Sequence, residues 1–196
     1  MNAMARPSKK AERVEEILEG VETCVTQYGI DGTTLDLIAS ATGLARPLIR
    51  HNLGNRDQIM EAFMKRYFER SDAETRLLEL ALDEVESFEG LVKLVFVLEQ
   101  EEKNSILVAQ ALNIAAANNE QLAEQLRQWT DNFTRILGNV LARLAPKASA
   151  ESRNDVAVGL VNLYLSAASY APLNPENDFA GSIERVALIL LRSLEA

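Results

Sequence analysis

Between residues 46 and 56 the chain reads RPLIRHNLGNR, gathering Arg46, Arg50, His51, Asn52 and Arg56 around small and apolar neighbours. Guanidinium, imidazole and amide groups spaced over two helical turns make a donor-rich edge, suited to the acceptors that base pairs present in a major groove. Arg56 follows the Gly54-Asn55 break and opens a further helix. Free amides at a helix N-terminus attract anions, so Arg56 is expected to clamp a phosphate there. Arg6, Lys9 and Lys10 add a cationic N-terminal arm that suits phosphates or a minor groove.

The same residues offer little other chemistry. His51 and Cys24 are the sole histidine and cysteine, and they fall in different predicted helices. They form no nucleophile–base pair and no metal-ligand set, so neither catalysis nor a metal or cofactor is expected. Cys24 lies in an apolar stripe, where a packed core thiol is the expected role.

A helix, a tight turn and a second helix must position this edge. Thr33 is expected to cap a helix over residues 34–42, with Asp36 three residues on completing a short capping box. Leu35, Ile38 and Ala39 face its core side, and Gly43-Leu44 makes the turn. Pro47 tolerates the first helical position, which makes Arg46 the expected cap of the next helix. Ile49 and Leu53, four apart, face inward, leaving Arg46, Pro47, Leu48, Arg50, His51 and Asn52 on other faces. Upstream, Ile17, Leu18, Val21, Cys24, Val25 and Tyr28 recur at helical spacing over residues 11–28, and Gly29 is the expected stop. Downstream, Asn55 caps a fourth helix tied back by Ile59, Met60, Phe63, Tyr67 and Phe68, which continues through Leu82.

The net charge of -9 is unevenly spread: residues 1–70 carry 10 Lys/Arg and 10 Asp/Glu, residues 71–196 carry 10 and 19. Only the first part can approach a polyanion without broad repulsion. One cysteine excludes an internal disulfide framework. The opening MNAMARPSKK has no apolar core of a leader, and the run Val186–Leu191 is too short to cross a bilayer. The expectation is a cytoplasmic protein.

The remainder is helical by pattern. Ser87 caps a stretch over Phe88–Leu98, residues 99–104 read as a charged turn, and 106–117 form a helix. A long amphipathic helix carries Leu122, Leu126, Trp129, Phe133, Ile136, Val140 and Leu144 to a stop at Pro146. Residues 151–171 and 178–195 give two last helices around the turn APLNPEND. Val186–Leu191 is apolar on every face and so must be covered all round. A homodimer pairing these helices in a four-helix bundle covers them, with Val156, Leu160, Leu163, Ala167, Ile183, Val186, Leu190 and Leu194 as the expected interface. Aromatic and polar residues within apolar stretches, Phe96, Gln110, Asn113, Trp129, Phe133, Asn162 and Tyr164, are the candidates for lining a pocket for a largely apolar small molecule; core packing is the competing role.

Over residues 11–60 the chain resembles the tetracycline-repressor (TetR) family. The resemblance rests on Ile17-Leu18, Gly29, Thr33-Thr34, Ile38-Ala39, Gly43-Leu44, Ile49 and the Asn55-Arg56-Asp57 start of the fourth helix. It implies an all-α fold of about nine helices. A three-helix helix-turn-helix DNA-binding head with its arm (1–56) would precede a helical effector-binding and dimerisation body (57–196). The implied function is a ligand-responsive repressor that binds a palindromic site on double-stranded DNA as a homodimer. Its implied DNA-contact set is Lys9, Lys10, Thr33, Thr34, Ala45, Arg46, Pro47, Leu48, Arg50, His51 and Arg56. Within that set Thr34, Arg50 and Arg56 look like phosphate-positioning residues and Arg46, Pro47 and Leu48 like the base-reading edge, with His51 between. The family usually has Ser at 45, a small residue at 47 and aromatics at 50, 52 and 53, whereas Ala45, Pro47, Arg50, Asn52 and Leu53 stand here. Those departures keep an alternative open, a dimeric helical interaction protein whose head no longer binds DNA.

Overall fold

The computed structural model describes residues 9–96, 103–170, 173 and 178–195. Among them run nine α-helices: α1 (Lys9–Gly32), α2 (Leu35–Thr42), α3 (Arg46–Leu53), α4 (Arg56–Asp83), α5 (Phe88–Phe96), α6 (Lys103–Ala116), α7 (Glu120–Leu144), α8 (Ala150–Tyr170) and α9 (Phe179–Arg192), closed by a 3-10 turn at Ser193–Glu195. By contacts the chain divides into one unit reaching to Ser71 with Leu107–Ala115, and a second made of Asp72–Ile106 and the residues from Ala116 onward. The sequence reading placed its boundary at residue 56, where α4 begins; the contacts group the first part of α4 and the middle of α6 with the head.

In the first unit α1, α2 and α3 pack on one another. The stripe Ile17, Leu18, Val21, Cys24 and Val25 is buried as its spacing requires, but Tyr28 is 51% exposed. Gly29 explains the difference: its φ of 70° and ψ of 177° kink the chain directly after Tyr28 and leave residues 30–32 as a separate turn. Gly20 has the opposite role, close approach. A Cβ there would lie 2.3 Å from the Thr42 Cγ2, so α1 and α2 touch through it. Glu22 on α1 takes Arg66 (3.0 Å) and Arg70 (3.4 Å) of α4, and Arg66 also binds Glu15 at 2.5 Å. Burial of Ile59, Met60 and Phe63 on α4, and of Val108 and Leu112 on α6, completes the core of this unit.

The second unit has its own core. It is filled by Phe88, Leu91, Val92, Val95 and Phe96 of α5, Phe133, Ile136, Leu137, Val140 and Leu141 of α7, and apolar residues of α8 and α9. α7 packs on α8, α8 on α9, and α9 on α5. Arg143 of α7 closes the end of α4 by donating to the Leu82 carbonyl at 2.8 Å and to the Val85 carbonyl. The hydroxyl of Ser87 accepts from the Gly90 amide at 3.1 Å, as expected of a cap. The expected charged turn falls mostly on residues 97–102 and the APLNPEND turn mostly on 171–177, outside the described residues apart from Leu173; Asn104 lies within α6.

Candidate nucleic-acid interface

The structure builds the edge formed by α3 from both sides of the turn. Gly43 ends α2 in the left-handed region (φ 68°, ψ 9°) and turns the chain into α3. Ala45, with an extended ψ of 136°, is the cap residue of α3, so Arg46 is the first helical residue and Pro47 the second. The sequence reading had each one position later. The bias of a pre-proline residue against helical angles is outweighed here because the Leu48 and Ile49 amides both close onto the Ala45 carbonyl, at 2.9 and 3.2 Å.

Ile49 is fully buried and Leu53 half-buried, which fixes the rotation of α3. Arg46, Pro47, Leu48, Arg50 and His51 are all exposed. Arg46 and Arg50, and Pro47 and His51, stand four apart and so lie one above the other in adjacent rows. Asn52, which replaces a usual aromatic, donates its Nδ2 to the Leu48 carbonyl at 2.8 Å. Its amide is satisfied on its own helix. No carboxylate occurs between Asp36 and Asp57, a stretch holding three arginines and the histidine. The edge is therefore cationic within a strongly acidic chain.

Two expected contact residues have other work. Thr33 does not cap α2: it is fully buried, and its hydroxyl donates to the Gly29 carbonyl at 2.7 Å, closing the end of α1. A side chain without exposure reaches no phosphate. Thr34 is the cap, exposed, with its hydroxyl accepting from the Leu37 amide at 3.3 Å. Arg56 was expected to reach outward from the start of α4. Instead Nε donates to the Thr33 carbonyl at 2.8 Å and Nη2 to the Ile30 carbonyl at 2.6 Å. The guanidinium thus staples α4 to the last turn of α1 and to the residue that follows it. Lys9 and Lys10 are exposed in the first turn of α1, whereas Arg6 and Pro7 lie outside the described residues.

Sequence reasoning missed two neighbours. Arg46 Nη1 sits 2.8 Å from Asp36 Oδ1, with both side chains more than half exposed. Asp36 had been assigned to a capping box that does not form. Gln58 makes the box that does: the Gln58 amide donates to Asn55 Oδ1 at 3.0 Å while the Asn55 amide donates to Gln58 Oε1 at 2.9 Å. The Asn-x-x-Gln spacing was the available signal for it.

The expected pocket residues separate. Within the second unit, Trp129 and Phe133 lie 5.5 Å apart by ring centroid, and Phe133 meets Tyr164 edge-on at 5.5 Å. Phe96 is buried in the core that these rings adjoin, and the Trp129 Nε1 is buried without a partner among the described residues. Asn113 and Asn162 are exposed, each returning its Nδ2 to the carbonyl four residues back on its own helix (Ala109 and Val158). Gln110 and Asn113 belong to the first unit. Cys24 is buried, which raises its thiol pKa. The described residues contain no group of side chains able to hold a metal.

The residues of the expected dimer face separate by burial. Val156, Leu160, Ala167, Ile183 and Leu194 are buried in the core of their own second unit. Leu163 and Leu190 are half-buried and Val186 is exposed. The large apolar residues left exposed on α8 and α9 include Val158, Val186 and Ile189, the last 69% exposed, with Tyr170 exposed at the end of α8.

Among the described residues, nine helices with a three-helix head and an exposed basic edge on the third define an all-α helix-turn-helix architecture. No family profile matches the chain. It is 28% identical over 166 residues to the HTH-type transcriptional repressor AcnR of Corynebacterium efficiens, covering 83% of this chain and 81% of that one. AcnR of Corynebacterium glutamicum is 25% identical over 172 residues, with the same coverage. A TetR-family transcriptional regulator from Mesorhizobium loti superposes with a TM-score of 0.71 over 96% of this chain and 97% of its own, at 15% identity. The chain is thus similar along most of its length to HTH-type transcriptional repressors and shares the fold of a TetR-family regulator. Among the described residues no helix is long and apolar enough to cross a membrane.

Proposed function

We propose that the chain is a ligand-responsive transcriptional repressor that binds a palindromic operator on double-stranded DNA as a homodimer. The carrying observation is the exposed row Arg46, Pro47, Leu48, Arg50 and His51 on a helix whose inner face is sealed by Ile49. Arg46 reads a base edge, Thr34 and Arg50 fix phosphates, Ala45, Pro47 and Leu48 set the close apolar fit, and Lys9 and Lys10 add cationic contacts. The relatives named AcnR are repressors, which supports that sign of regulation.

Two copies joined through Val158, Val186 and Ile189, with Leu163 and Leu190 at the margin, place two reading helices in successive major grooves about 34–36 Å apart. An apolar effector seated by Phe96, Trp129, Phe133 and Tyr164 shifts operator affinity, a coupling that typically amounts to about 1–3 kcal/mol. Selection of bound sequences from randomised duplex tests the reading. A two-fold symmetric site whose affinity falls steeply with salt is expected; no enrichment at low salt overturns it in favour of a helical interaction protein. Trp129 is the sole tryptophan, so a compound that releases DNA is expected to change intrinsic fluorescence as it binds.

A further inference from the structure

Asp36 and Arg46 form a pair that its stability contribution does not explain. The carboxylate stands in the first turn of α2, the guanidinium in the first turn of α3, and Arg46 Nη1 lies 2.8 Å from Asp36 Oδ1. Both side chains are more than half exposed, and exposed pairs of this kind contribute little to folding. A carboxylate on a surface that approaches phosphates also opposes binding by simple repulsion. Its placement, however, bears directly on an arginine at the first position of the reading helix. A free arginine side chain samples many rotamers and loses that freedom on docking. One tethered through a single Nη1 hydrogen keeps its remaining donors in a fixed plane.

We propose that Asp36 is a specificity-positioning residue, which holds the Arg46 guanidinium so that its open donors meet the O6 and N7 acceptors of a guanine. The inference rests on Arg46 being a base reader. Asp36 itself touches no base; it acts through Arg46 by limiting the directions in which the fork points. The contact with guanine is then made without first ordering the side chain, and other bases, which cannot satisfy the fixed fork, are rejected more strongly. No other carboxylate in residues 37–56 can take this part, because there is none.

The test is quantitative sequence selection on the 196-residue chain and three single variants, Arg46→Ala, Asp36→Ala and Asp36→Asn, with affinity for random duplex measured alongside. Arg46→Ala is expected to relax preference at one base pair in each half-site. Asp36→Ala is expected to relax the same base pair, on the order of tenfold in discrimination, while affinity for random duplex stays level or rises as a negative charge is lost. Asp36→Asn keeps an acceptor oxygen for Arg46 and is expected to restore most of the preference. A fourth variant combining Asp36→Ala with Arg46→Ala is expected to discriminate no worse than Arg46→Ala alone, since the two residues act as one unit. If Asp36→Ala raises affinity uniformly and leaves every preference intact, the carboxylate is only repulsive and the inference is overturned. If Asp36→Ala shifts preference at a base pair that Arg46→Ala does not touch, the positioning role is overturned as well. If Arg46→Ala changes no preference at all, the base-reading assignment itself fails, an outcome distinct from the other two. Circular dichroism melts of each variant confirm that the head remains folded.

Discussion

Replacing Arg56 by alanine separates a structural staple from a phosphate clamp. The side chain makes two short hydrogen bonds, to the carbonyls of Thr33 (2.8 Å) and Ile30 (2.6 Å), across a sequence separation of more than twenty residues. Hydrogen bonds from a charged donor contribute about 1.5–3 kcal/mol each when well shielded. This side chain is 36% exposed, and water can replace part of what is lost, so each bond is discounted to about 1 kcal/mol. Arg56→Ala is then expected to destabilise the chain by about 2 kcal/mol, which for a chain of this size lowers Tm by roughly 4–8 °C. Arg56→Lys keeps the charge but cannot span both carbonyls with a planar fork, and is expected to recover about half.

The informative readout is the pair of stability and salt dependence. A clamp that neutralises one phosphate steepens the dependence of log affinity on log salt by about 0.9, and removing it flattens the slope by that amount. The staple predicts lower stability in denaturant and thermal melts with an unchanged slope on any duplex. Wild-type stability combined with a slope flattened by about one would refute the structural reasoning and return Arg56 to the phosphate.

Gly20→Ala is expected to destabilise the head by about 1–3 kcal/mol in urea titration, since its Cβ would meet the Thr42 Cγ2 at 2.3 Å. Gly43→Ala meets no atom within 4 Å and loses only the left-handed backbone preference, about 1 kcal/mol; equal effects for the two variants would contradict the close approach of α1 and α2. Val186→Glu with Ile189→Glu is expected to give a folded monomer by analytical ultracentrifugation, whereas a surviving dimer would place the interface elsewhere. Asp178 accepts from the Gly181 amide and pairs with Arg185 at 3.0 Å; the hydrogen bond from Arg185, above all, lowers its pKa from 3.8. A lowered carboxylate pKa stabilises the fold above its unfolded value and loses that contribution as pH falls through the folded one. The stability difference between wild type and Asp178→Asn is therefore expected to be constant near neutrality and to close only below about pH 4; a difference that widens with acidification would contradict the assignment.

How legible the chain was depends on which interaction decides each residue. Ile17, Val21, Cys24, Ile38, Ile49 and Ile59 could be placed from spacing alone, because burial of an amphipathic face is a one-dimensional pattern that sequence carries directly. Gly29 and Gly43 likewise announce a positive φ, and both have one. Thr33 and Thr34 are harder. Two adjacent hydroxyls can each cap α2, and the choice was made by a carbonyl at Gly29 that the kink leaves open, a feature of the folded loop. Arg56 was hard to place for the same reason. A cation at a helix N-terminus reads as an anion site, but carbonyls more than twenty residues away had the prior claim on its donors.

The last two helices show why an interface is less legible than a core. Apolar density in α8 and α9 gave no means of dividing their surface between the chain's own core and a second copy. Within the second unit, Val156, Leu160, Ile183 and Leu194 were claimed by internal packing, while Val158, Val186 and Ile189 were left outside. The divider is the α8–α9 packing itself: Gly159 admits Leu190, whose Cδ1 would lie 3.4 Å from a Cβ at that position, and this seam sets which residues turn outward. Periodicity could locate the two helices but not the seam. A side chain at 159 larger than alanine would push Leu190 out of its seat and rotate α9. Gly159→Leu is therefore expected to weaken both the second unit's stability and dimerisation, whereas the outward Ile189→Glu variant is expected to weaken dimerisation alone.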